Sequence, residues 1–187
     1  MNYNELKEKA HSNAVKHGFW ENRLSNEHCL MLVITEVGEL VEADRKNKHP
    51  IELDVHKKSC ERYVNNADWN HIGFANSFSK CLKDTIEDEF ADVAIRLLDL
   101  AGALGVDFDK MKPCRYYRAF NKFSFTENAF GLVKGLSRDV IGIEKRVQFG
   151  LEYITKWAHS LGIDLAWHIE QKMKYNESRP PLHGKKY

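Results

Sequence analysis

The stretch from Glu89 to Leu104, EFADVAIRLLDLAGAL, restricts this chain more than any other part of it. Read as a helix it is apolar around most of its circumference, through Phe90, Val93, Ala94, Ile95, Leu97, Leu98, Leu100, Ala101 and Leu104. A helix of that kind belongs inside a bundle. Its charged residues are Glu89, Asp92, Arg96 and Asp99, and steps of three and four residues keep them on one stripe. Carboxylates taken into a core cost several kcal/mol each unless a cation or hydrogen bonds compensate them. Something positive is therefore expected beside Glu89 and Asp92.

A second carboxylate pair lies upstream in LMLVITEVGELVEADRK, where Leu30, Ile34, Val37 and Val41 form an apolar ridge and Glu36 and Glu39 sit beside it. Glu-x-x-Glu on one helix facing Glu-x-x-Asp on another can converge four carboxylates on one point. Oxygen-only ligation suits a hard cation, Mg²⁺ or Mn²⁺, over zinc. A di-iron bundle would carry Glu-x-x-His on two helices, and neither pair here has a His at that step. The plainer alternative is that both pairs are solvated helix faces. It suits Glu36 and Glu39 as well as ligation does, but leaves the Glu89 stripe without an outlet.

Length and composition set the frame. A chain of 187 residues can bury one sizeable core. With 28 basic against 27 acidic residues, no surface for a polyanion is advertised, which argues against nucleic acid as partner. Cys29, Cys60, Cys81 and Cys114 show no C-x-x-C spacing, so reduced thiols in a cytoplasmic protein are expected. No signal peptide is evident, and no apolar run approaches the ~20 residues of a membrane span. Four prolines and pervasive helical periodicity point to an all-α fold.

In chain order, residues 4–17 read as a first helix with Asn4 as its cap, and Phe19 and Trp20 follow as either a loop anchor or an aromatic wall for a ligand. Ser25 or Asn26 caps a helix running to about Asn47. From Lys48 to Asn76 the period is lost, so this segment reads as an insertion, holding a short helix or a lid. Helix resumes near Ser79 and runs unbroken to Gly105. LGVD at 104–107 then recurs as LGID at 161–164, each preceded by a helical stretch. At that offset Arg146 falls opposite Glu89 and Phe149 opposite Asp92. A weaker echo sets Leu136 against Glu36 and Asp139 against Glu39. Residues 108–163 are thus either a degenerate second helical repeat that has lost its carboxylates, completing a four-helix bundle, or a chance likeness between amphipathic helices. A last helix spans about Asp164 to Asn176, followed by the basic tail ESRPPLHGKKY.

Three stretches in this order, TEVGELVEADRK, DTIEDEFADVAIRLLDLAGALGVD and KMKYNESRPPLHGKKY, resemble the MazG-like branch of the all-α nucleoside triphosphate pyrophosphatases. The opening AHSNAVKHGFW is similar to the first helix of its phage and bacterial members. The tail resembles that branch's K-x-x-x-N-x-x-R-P-x-x-H-G-K pattern through Lys172, Asn176, Arg179, Pro180, His183, Gly184 and Lys185. The resemblance implies one all-α domain over residues 1–187 that cleaves a nucleoside triphosphate to the monophosphate and pyrophosphate. Glu36, Glu39, Glu89 and Asp92 would be the catalytic ligands of Mg²⁺, with Mn²⁺ as substitute. Lys172, Asn176, Arg179 and Lys185 would bind substrate, and a homodimer would be the assembly. His17 and Trp20 are the candidate base contacts, and Arg96 is expected to pair with Asp92 or Asp99. The chain departs from the pattern in its long 48–76 linker and in the 108–163 segment before the tail. Related substrates on the same fold (phosphoribosyl-ATP, dUTP), a catalytically silent nucleotide-binding or interaction module, and a purely structural helical protein are the alternatives.

Overall fold

The stripe-bearing helix lies at the centre of the structure, a computed structural model that describes residues 1–22, 24–64, 71–114, 118–184 and 186, the side chains of 59–64, 71 and 72 excepted. The described residues are all-α, with no strand among them. The helices are α1 (Tyr3–Lys16), α2 (Asn26–Arg45), α3 (Leu53–Val64), α4 (His71–Cys81), α5 (Ile86–Ala103), α6 (Phe125–Leu136), α7 (Ile143–Ser160) and α8 (Leu165–Glu177). None of the described helices is long and apolar enough to cross a membrane. In α5, Phe90, Ala91, Val93, Ala94, Leu97, Leu98 and Ala101 are completely buried, because α1, α2, α7 and α8 all pack on it.

Helix ends follow local chemistry. The cap of α1 is Asn2, whose side chain accepts from Glu5 N. Asn4, expected in that role, instead accepts from Phe108 N and fastens the loop after α5. Ser25 caps α2 as expected. The expected unbroken helix from Ser79 to Gly105 is two helices, separated at Leu82–Thr85. Thr85 Oγ1 donates to Leu82 O and accepts from Asp88 N, ending one helix and capping the next. Asp84 takes a left-handed conformation at φ 59°, which a short polar side chain tolerates. Gly105, at φ 64°, closes α5 while Val106 N bonds back to Ala101 O.

The period-free segment 48–76 holds α3 and the start of α4. They form a hairpin whose own small core (Phe74, Phe78, Cys81, Leu82) packs on Leu53, Trp167 and Tyr175. Beyond Gly105, α6 pairs with α7, α7 lies on α5 and α6 on α2. Both α5 and α7 have 18 residues, while α6 has 12 against the 20 of α2. Of the four cysteines, Cys29 and Cys81 are buried free thiols and Cys114 is a half-buried one; the Cys60 side chain lies outside the described residues.

Candidate functional site

Where α2, α5 and α8 meet, a cavity of about 360 Å³ opens. Its acidic end is lined by Glu36, Glu39, Asp84, Glu89, Asp92 and Lys172, and its other end by Phe19, Ile95, Arg96, Asp99, Met173 and His183. Three expected ligands converge there: Glu36, Glu89 and Asp92 each offer an oxygen within 4.8 Å of the others. A second set, Asp84, Asp88 and Glu89, meets the same criterion, so Glu89 is common to both. Glu39 lines the cavity but is exposed and outside the close groups.

The electrostatics are those of a site short of positive charge. Glu89 is 3 % exposed, and its Oε2 is buried with no hydrogen-bond partner. Burial, reinforced by the Asp92 charge, pushes its carboxyl up to about 9. Burial also raises Glu36, with Asp92 adding to the effect and Arg96 opposing it. Of the two acids expected to have a positive partner, Asp92 has one in Lys172, and Glu89 pairs with no cation among the described residues. The Lys172 Nζ donates to Asp88 Oδ2 and also pairs with Asp92 Oδ2, both at 2.7 Å. Burial alone would lower that ammonium, but Asp92 and Asp88 hold it well above its ordinary value.

Arg96 pairs with neither Asp92 nor Asp99. Its Nε donates to Glu36 Oε1 at 3.0 Å, across to α2. Asp92 is already engaged by Lys172, and Asp99 Oδ1 accepts from Trp20 Nε1 at 2.9 Å with His11 Nδ1 at 2.8 Å. Phe19 and Trp20 therefore divide the two roles considered for them. Trp20 is the anchor, packed on the core, and Phe19 lines the cavity. The base-contact candidates, His17 and Trp20, do not line the cavity. His17 instead holds the tail, its carbonyl accepting from Leu182 N and its ring 5.1 Å from that of His183.

Of the expected substrate residues, Asn176 and Arg179 line the cavity together with Lys172. The Asn176 Oδ1 is buried without a partner, and Arg179 Nη2 donates to His183 O. Lys185 lies outside the described residues. Sequence reasoning missed Asp88, which is 2 % exposed. The signal was present, since Asp88 stands one helical turn before Asp92 and shares its face.

The donor set fits a hard divalent cation. It is made only of carboxylate oxygens, and one buried oxygen lacks a partner. The corresponding positions of the 108–163 segment cannot do this. Arg146 stands at the Glu89 position, its Nη1 at 3.5 Å from Leu136 O. Phe149, at the Asp92 position, packs so closely on Gly135 that a Cβ there would collide with its ring. Compared with the models of known protein families, with curated proteins and with solved structures, the chain gives no match.

Proposed function

We propose that this chain is a metal-dependent nucleoside triphosphate pyrophosphohydrolase with a MazG-like fold, releasing a nucleoside monophosphate and pyrophosphate. The observation that carries the proposal is the Glu36–Glu89–Asp92 group, with Glu36 and Glu89 buried, Asp92 half-buried and one Glu89 oxygen unpartnered, on the wall of a nucleotide-sized cavity. Glu36, Glu89 and Asp92 would hold Mg²⁺ or Mn²⁺, with Glu39 at the open edge. Such an ion neutralises phosphoryl charge and acidifies water.

In the hydrolysis a water oxygen bonds to the α-phosphorus, the bond from that phosphorus to the bridging oxygen breaks, and pyrophosphate leaves. Glu39, exposed and outside the close group, would take the water's proton. Arg179 and Asn176 face the same space and supply a cation and an amide for phosphate or sugar oxygens. Lys172 serves primarily to offset the charge of Asp88 and Asp92 and to hold both carboxylates in place. A homodimer in the cytoplasm belongs to the same proposal, on the resemblance alone.

Pyrophosphate release from a panel of nucleoside triphosphates tests this. Release that requires Mg²⁺ or Mn²⁺, stops with EDTA and is lost in Glu89→Gln is expected. A second reading, a catalytically silent nucleotide-binding module, draws on the same Lys172. An internal ammonium 2.7 Å from two carboxylates already neutralises part of the cluster. Folded protein that binds a nucleotide but releases no pyrophosphate from any triphosphate would favour it.

A further inference from the structure

The end of the cavity away from the carboxylate cluster holds one acid that the hydrolysis does not use. Along α5, Asp99 continues the stripe of Glu89, Asp92 and Arg96 and lies about 15 Å beyond Glu89 at 1.5 Å per residue. An extended nucleotide with its phosphates at the cluster would set its base there. The surroundings suit a base. Phe19 and His183, their ring centroids 5.0 Å apart, stand beside Ala14, Ile95 and Met173 along the cavity wall.

The Asp99 carboxylate is fixed rather than mobile. Trp20 Nε1 and His11 Nδ1 both address Oδ1, at 2.9 and 2.8 Å, and the side chain is 13 % exposed. Among the described residues no hydrogen bond reaches Oδ2, and Asp99 lines the cavity. Arg96, which could have neutralised it, is committed to Glu36. An ionised carboxylate only accepts hydrogen bonds. Held in place on the cavity wall, it rewards a donor and penalises an opposing carbonyl oxygen.

We propose that Asp99 is the base-selecting residue of this cavity and that it favours bases bearing an exocyclic amino group, cytosine and adenine, over their oxo counterparts. The amino group of cytosine donates to Oδ2. Uracil presents a carbonyl at that position, and its ring N–H lies between two carbonyl oxygens that a fixed carboxylate repels. The proposal rests on the pyrophosphohydrolase reading only for where the phosphates lie.

The test uses the full chain with Mg²⁺ and compares kcat/KM for dCTP against dUTP and for dATP against dITP, in the wild type and in Asp99→Asn. Asn keeps an acceptor for Trp20 and His11 and replaces the remaining acceptor, Oδ2, with a donor. The wild type is expected to prefer the amino member of at least one pair by tenfold or more, and Asp99→Asn to flatten or invert that ratio. Ratios near one in the wild type, or a ratio unchanged in Asp99→Asn, would overturn the proposal. Loss of fold would lower both members of a pair together and leave their ratio alone. If no triphosphate is hydrolysed, the pyrophosphohydrolase reading fails separately. Calorimetric titration with dCMP and dUMP then decides on Asp99: tighter dCMP binding supports the assignment, and equal binding ends it.

Discussion

Two helix pairs of this chain, α2–α5 and α6–α7, follow one order and pack against each other, yet treat their facing interiors oppositely. In the first, Glu36, Glu89, Asp92 and Asp88 crowd into a space short of positive charge. In the second, Leu136, Arg146 and Phe149 occupy the corresponding positions, with the Phe149 ring set against Gly135. The shortness of α6 completes the difference. It ends at Leu136, so Asp139, which the sequence echo sets against Glu39, stands almost fully exposed beyond it. The second pair is stabilised by its interior, whereas the first keeps an interior that costs stability and is useful only if something binds there. Strain of that kind concentrates at functional sites.

The strongest way to break the comparison is to remove the charge that distinguishes the halves. Glu89→Gln is expected to lower metal-dependent pyrophosphate release by about a thousandfold or more, as loss of a charge-stabilising group at a reacting centre does. Urea unfolding of the metal-free variant should show stability unchanged or increased, because a buried, unsatisfied acid is gone. Arg146→Gln, at the matching place in α7, should leave release within about twofold, since the residue does not line the cavity. Comparable losses in both variants would mean that the halves do not differ in function.

Removing Lys172 sharpens the contrast from the side of stability. Lys172→Met leaves Asp88 buried without its cation, and urea unfolding should show a loss of about 3–5 kcal/mol. The double variant with Asp88→Asn should recover most of it. In the aromatic half, Phe149→Ala should cost about 2 kcal/mol through lost packing, with the kcat/KM of the folded fraction unchanged. A cycle showing no coupling between Lys172 and Asp88 would place the stabilising charge elsewhere.

What could be read beforehand follows the reach of each interaction. The Glu89 stripe and Glu36 were legible because helical periodicity is local, and an apolar helix leaves its acids one exit. The existence of a positive partner followed from the cost of burying charge. Its identity did not, since Lys172 lies 84 positions from Asp88 and the pair exists only in three dimensions. Arg96 shows the same limit: two acids on its own helix were suitable partners, and the one it uses is on α2. The α3–α4 hairpin lacked a legible period because it is short and draws its contacts from Trp167 and Tyr175 on another helix. The break at Asp84–Thr85 was written in local residues, but a capping threonine beside an acidic turn also fits within a longer helix.

Acid and base should separate the regions. For Glu89, whose folded value of about 9 lies above the ordinary carboxylate range, the native state holds a proton that the unfolded chain releases. Stability from this group is therefore complete at low pH and is lost as pH rises through about 9. The slope from this group reaches at most about 1.4 kcal/mol per pH unit. Measured by urea unfolding at pH 6 and pH 9, metal-free protein should weaken, and added Mg²⁺ should reduce that loss because binding expels the proton. An identical pH response with and without Mg²⁺ would count against ligation by Glu89.

At the hairpin the expected pH effect is local and has the opposite sign. His56 is fully buried, with its Nδ1 2.8 Å from Ser77 Oγ, and His168 is 6 % exposed beside Trp167. Burial lowers both to about 4. Between the ordinary histidine value and about 4 the unfolded chain binds protons that the native state refuses. Stability from these two groups is thus present above about 6.5 and lost as pH falls toward 4. Because α3–α4 rests on its own small core, the loss should appear first as local opening. Hydrogen exchange at pH 5 against pH 7, corrected for intrinsic rates, should show faster relative exchange in α4 and the start of α8. The helices α6 and α7, whose one histidine, His159, is exposed, should be unaffected. Uniform acid loosening of all the helices would instead mean that the hairpin and the bundle open as one unit.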